Sequence, residues 1–296
     1  MFKSFSMKAK SIIEVLAVFI LMKFFSIWLD SVLVNAEVDS GWRTFFFGLQ
    51  ALVIPIAIIG FSGRSWSTYG LSLKDGKSQL NFGFTGALIM MLLGLGFGFL
   101  KSKGISTSGR TGSLVMSIIA IIMIAIFVLI FSKKGKIDRS ERFLNIRMIL
   151  QVVILLLMIG CPIVVAIIKA NNVSGIIAWD LYFLIMVGFG EEIKFRGYFQ
   201  SRINEGYGRP WKFFGVSFGP GLLIVSLLFG LSHIIQFGVF NPFLGQYDIN
   251  PWMGLQAFFG GFFFGLIREK SESIVSSGIA HGVPNAFGQV LSMALR

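Results

Sequence analysis

Two adjacent glutamates stand in "GFGEEIKFRGYF", directly after the apolar run "AWDLYFLIMV". Carboxylates at that depth in a membrane helix are costly, so Glu191 and Glu192 call for a function. If the helix continues to about Glu205, Glu191 lies roughly 20 Å from that end at 1.5 Å per residue, inside the bilayer. Residues at i and i+4 share a helix face. Glu192 is therefore set to pair with Arg196, which keeps one carboxylate ionised, while Glu191 points elsewhere and stays available for a proton.

The chain has only two histidines, and both fall in apolar stretches. His233 comes four residues after Phe229 in "LLIVSLLFGLSH", and His281 four residues before Asn285 in "AHGVPN". Counted from a helix break at "GPG", His233 lies roughly 18 Å along its helix, and His281 roughly 13 Å into its own, so both share the layer of Glu191. A helix begun at Trp211 would instead carry His233 roughly 33 Å deep, out of reach of that carboxylate.

A carboxylate that takes a proton from water, an imidazole beside it and an amide facing a developing oxyanion are the parts that hydrolyse a peptide bond. Glu191 is the candidate base, His233 helps to hold the water, and His281 with Asn285 polarises the carbonyl from one helix face. Pro284, between the last two, removes an amide donor and re-aims Asn285. Glu191, His233 and His281 also match the ligand types of a catalytic zinc site, although the helical His-Glu-x-x-His arrangement is absent. The residue types leave metal-free and zinc chemistry both open. They also suit a proton relay in a transporter.

The elements that position these residues belong in a bilayer. A chain of 296 residues, 55% hydrophobic with 33 Phe and only 14% charged, cannot cover its apolar surface as a soluble fold. Apolar runs long enough to cross fall near 11–30, 43–62, 80–100, 112–132, 147–169, 177–206, 213–236, 251–268 and 272–293. The fold class is an all-α polytopic transmembrane bundle of eight or nine helices, with N-terminal helices over 1–170 and a catalytic core over 171–296. The first run, interrupted by Lys23, reads as a retained helix rather than a cleaved signal, with Glu14 and Lys23 as rim charges.

The net charge of +12 is spread through short connectors, which speaks for membrane orientation and against nucleic acid. Basic connectors alternate with poor or acidic ones except at "KSKGISTSGR", so the N-terminus and the far end of the sixth helix face the cytoplasm. Cys161 has no partner in the chain and reads as packing. Gly260, Gly261 and Gly265 read as close helix packing, Asp180 as solvated, Tyr198 and Gln200 as lining the cytoplasmic mouth, and Arg202 and Arg209 as marking the membrane surface.

Three segments carry a family resemblance, in order: "EEIKFR" to a Glu-Glu-x-x-x-Arg motif, "FGLSH" to Phe-x-x-x-His and "HGVPN" to His-x-x-x-Asn. They resemble the CPBP family, intramembrane proteases related to type II CAAX prenyl endopeptidase and to bacteriocin-processing or self-immunity proteins. The resemblance covers roughly residues 175–295, and "YGLSL" after the second helix is similar to a segment of bacterial members. It implies an all-helical membrane fold with a site open to the cytoplasm, catalytic Glu191, His233, His281 and Asn285, and supporting Glu192, Arg196 and Phe229. The substrate implied is a membrane-associated peptide, in a bacterial cell membrane. A non-catalytic scaffold or self-immunity protein is the alternative, and a proton-coupled transporter the third reading.

Overall fold

The computed structural model describes residues 2–72, 75–132, 146–235 and 240–295. The basic connector over 133–145, Leu73 of "YGLSL" and Gly238 and Val239 of the connector after His233 lie outside the described residues.

Nine helices stand among the described residues. They are α1 Phe2–Asn35, α2 Ser40–Phe61, α3 Gly76–Ser102, α4 Arg110–Ser132 and α5 Ile146–Ile168. α6 is Val173–Tyr207, α7 Pro220–Ile234, α8 Pro251–Ser271, and α9 runs over 274–294. The first six are long and apolar enough to cross a membrane. The all-α polytopic bundle expected from composition is thus the fold.

One expected span is shortened. The run near 213–236 yields only the 15 residues of α7, because the residues before it form an antiparallel hairpin, β1 Trp211–Phe213 with β2 Val216–Phe218. Its two-residue turn, Phe214 and Gly215, has φ of 44° and 79°, the paired positive φ values that match strand twist in a tight hairpin. Pro220 then opens α7, with Gly219 extended before it, since proline's fixed φ and missing N–H suit a first turn. The helix break at "GPG" is present as expected. A second hairpin, β3 Phe240–Asn241 with β4 Gln246–Tyr247, lies between α7 and α8.

α6 to α9 form the centre: α7 packs on α8, and α9 on α6 and α3. α3 and α4 close over α8 through a core that includes Phe82, Phe127, Phe131, Phe263 and Phe264. α1 and α2 close over α6 and α7 through Phe19, Ile59, Phe195, Phe199 and Phe229. Where α6 crosses α9 the backbones nearly touch, since a Cβ on Gly188 would lie 2.4 Å from Gly282 Cα. Without a hydrophobic drive between helices in lipid, such small-residue contacts let helices approach and pack.

Several sequence expectations change here. Gly261 and Gly265 of α8 are close contacts, with added Cβ atoms 3.0 Å from Phe229 and 2.3 Å from Leu222, but Gly260 faces open space. Asp180 is buried at 2% exposure rather than solvated. Tyr198, Gln200 and Arg202 are buried too, because polar partners meet them inside the bundle. Tyr198 donates to Glu14 at 3.0 Å, Arg202 Nε lies 3.0 Å from Glu14, and Gln200 donates to Glu269 at 2.8 Å. Glu14 is therefore an internal partner of α6 rather than a rim charge. "YGLSL" also has a packing reason: Tyr69 is fully buried, and the Gly70 carbonyl accepts the Ile274 N–H at the start of α9 at 3.1 Å.

Candidate active site

The Gly188–Gly282 crossing brings Glu191 and His281, each within a turn of it, to the same level. α6 has wide π-helical turns over Tyr182–Gly190 and Ile193–Gln200, flanking the two glutamates. Such turns are rare and recur at functional sites, where they rotate side chains relative to a regular helix.

The two carboxylates part company there. Glu192 is fully buried and its Oε1 lies 3.0 Å from Arg196 Nη1, the i,i+4 pair expected from spacing. The same oxygen lies 3.1 Å from His281 Nδ1. Arg196 Nη2 donates to the Gly261 carbonyl at 2.8 Å, and its guanidinium carbon sits 4.5 Å from the Phe229 ring centre. A buried ion pair needs such further partners to hold its charges away from water, and the closeness of α8 at Gly261 supplies one.

Glu191 turns the other way, with 26% of its side chain exposed. It lines a cavity of about 420 Å³ together with His233, Lys23, Lys194, Gln50 and Tyr182. His233 Nδ1 lies 2.8 Å from the Phe229 carbonyl. A carbonyl only accepts, so Nδ1 carries the proton in the neutral ring and Nε2 is left as an acceptor. The spacing of Phe-x-x-x-His now has a physical basis: Phe229 fixes the imidazole one turn on through its carbonyl, and its ring lies 4.6 Å from that of His233.

His281 Nε2 lies 4.0 Å from Glu191 Oε2. That gap is too long for a direct hydrogen bond and is a span a water can bridge. The His281 ring is stacked on Phe264 at 4.3 Å and 17°, and is 5% exposed. Asn285 is half-buried one turn further along α9, which continues past Pro284. His281 and Asn285 do not line the cavity that Glu191 and His233 share. Glu191, Glu192, Arg196 and His281 are thus in one connected cluster, His233 meets Glu191 across the cavity, and Asn285 stands apart.

Residue types alone missed two neighbours. Phe264 lies in a Phe-rich run with no mark to single it out. Lys23, read as a rim charge, instead lines the cavity and donates to the Ser232 and Ile235 carbonyls at 2.8 and 3.0 Å. Among the described residues no group of three His, Cys, Asp or Glu is placed to hold a metal ion. Both imidazoles hold Nδ1 against protein partners and leave Nε2 as the nitrogen that could meet a water or a metal ion.

No curated protein and no solved structure matches this chain. The family model described as Type II CAAX prenyl endopeptidase Rce1-like matches residues 153–287, which include both glutamates, both histidines and Asn285. That segment carries the three motifs in order, and the family they resemble, the intramembrane CAAX-type proteases, is the family found.

Proposed function

We propose that the protein is an intramembrane endopeptidase that hydrolyses a peptide bond of a membrane-associated peptide near the cytoplasmic face. Residues 171–296 form the catalytic core and 1–170 the helices around it, in a bacterial cell membrane with the site open to the cytoplasm. The observation that carries the reading is the split between the glutamates: Glu192 bound in a buried ion cluster, Glu191 left facing a cavity that His233 also lines, with His281 Nε2 4.0 Å from its carboxylate.

In this reading Glu191 accepts a proton from water as its oxygen attacks the substrate carbonyl, then passes it to the leaving amine. The His233 Nε2 lone pair holds the same water. Glu192 fixes His281 through Nδ1, so that Nε2 stays aimed at Glu191. Asn285, one turn beyond His281 on α9, is the candidate donor to the developing oxyanion.

Comparing membrane peptides in cells that carry the wild-type protein or Glu191→Gln tests the reading. Peptides that accumulate uncut in the variant support it; identical profiles with both proteins well expressed would favour a non-catalytic scaffold. Cleavage by purified protein is expected to survive a strong chelator. Loss in chelator with recovery on adding zinc would replace direct water activation by Glu191 with a metal mechanism.

A further inference from the structure

α1 lies outside the segment that matches the family model, yet it reaches the candidate site through one side chain. Lys23, midway along α1, lines the cavity with Glu191 and His233. Its ammonium donates to the Ser232 carbonyl at 2.8 Å and to the Ile235 carbonyl at 3.0 Å. These carbonyls bracket His233, Ser232 in the last turn of α7 and Ile235 as the residue that caps it, where the helix has no further N–H groups to satisfy them. A cation there meets the negative end of the helix dipole. α1 also holds the far side of the same connection, because Asn241 in β3 donates to the Ile27 carbonyl at 3.1 Å and to Asp30 at 2.9 Å.

We infer that Lys23 is a positioning residue, which clamps the end of α7 and so fixes where the His233 imidazole stands against Glu191. The Phe229 carbonyl sets the ring's rotation from one turn before; Lys23 sets the backbone on which the ring is carried. The protein thus builds part of its site from a helix that the family motifs do not include. The catalytic consequence rests on the protease reading above; the contact itself does not.

Because the chain has two histidines, isotope labelling of histidine rings in the full-length protein in detergent gives two ring signals, assigned with His281→Gln. Lys23→Met is expected to shift or broaden the His233 signal and leave that of His281 in place. Lys23→Arg, which still donates to carbonyls, should restore it. A general loss of structure would move both signals, and in that case Lys23→Leu, which has no donor and suits an apolar helix, is read in the same way. A His233 signal unmoved in a folded Lys23→Met or Lys23→Leu protein overturns the inference.

In cells, Lys23→Met should cut processing of the peptides that depend on Glu191 at least tenfold, and Lys23→Arg should recover most of it. If Glu191→Gln changes nothing, the protease reading fails while the ring signals still decide the clamp. If Glu191→Gln blocks processing but Lys23→Met leaves it at the wild-type level, only the positioning role is lost.

Discussion

Glu191 and Glu192 are neighbours in the chain, yet they occupy two different environments. Glu192 is fully buried against a guanidinium and an imidazole, whereas Glu191 faces a cavity and has no ion-pair partner closer than 4.0 Å among the described residues. One carboxylate is held by the protein; the other is left for something that enters. The 100° step between successive helical residues is what allows one segment to serve both ends. Changing one neighbour should therefore remove chemistry without structure, and changing the other should remove structure first.

The largest effect expected is at the cavity. Glu191→Gln should lower cleavage of a membrane peptide by about 10²–10⁴, the range that a positioned general base supplies, with thermal unfolding in detergent unchanged. A variant that unfolds early would merge the two environments again. Arg196→Ala should do the reverse, costing about 3–5 kcal/mol because it strands a buried carboxylate, which denaturant unfolding can measure. Replacing Glu192 and Arg196 together with apolar residues should recover part of that stability but not cleavage, since His281 loses its anchor.

The crossing that joins the two environments offers a sharper probe. Gly188→Leu would push a side chain into the Gly282 backbone, at a cost of about 1–3 kcal/mol for overpacking. Misplacing Glu191 by even an ångström relative to His281 should slow cleavage by about 10²-fold. Phe264→Leu, which removes the ring stacked on His281, should cost about 1 kcal/mol. Gly260→Ala is the control: a methyl there meets nothing within 4 Å, so unfolding should shift by less than about 0.5 kcal/mol.

Much of this arrangement follows from local spacing. The Glu192–Arg196 pair is an i,i+4 relation within one helix, and the Phe229–His233 contact is another. The break before α7 is legible from Gly219-Pro220-Gly221, and the nine apolar runs correspond to the nine helices among the described residues. The rest depends on which helix faces which. Arg202 and Tyr198 carry the residue types of a membrane surface, and only the approach of α1, bringing Glu14, makes their burial affordable. Phe264 is one phenylalanine among 33, and periodicity within α8 cannot say that His281 lies against it. The same holds for Lys23, whose partners are more than 200 positions away in the chain.

α7 has a further consequence through its length. Fifteen residues rise about 22 Å, well short of a hydrocarbon layer of about 30 Å. Leu223, Leu227 and Leu231 recur every fourth position and are exposed along one stripe, so this short helix meets acyl chains directly. Lipids beside it must shorten or bend to match, at a fraction of a kcal/mol per ångström of mismatch. Cleavage is therefore expected to vary with bilayer thickness, which reconstitution into lipids of different acyl length measures.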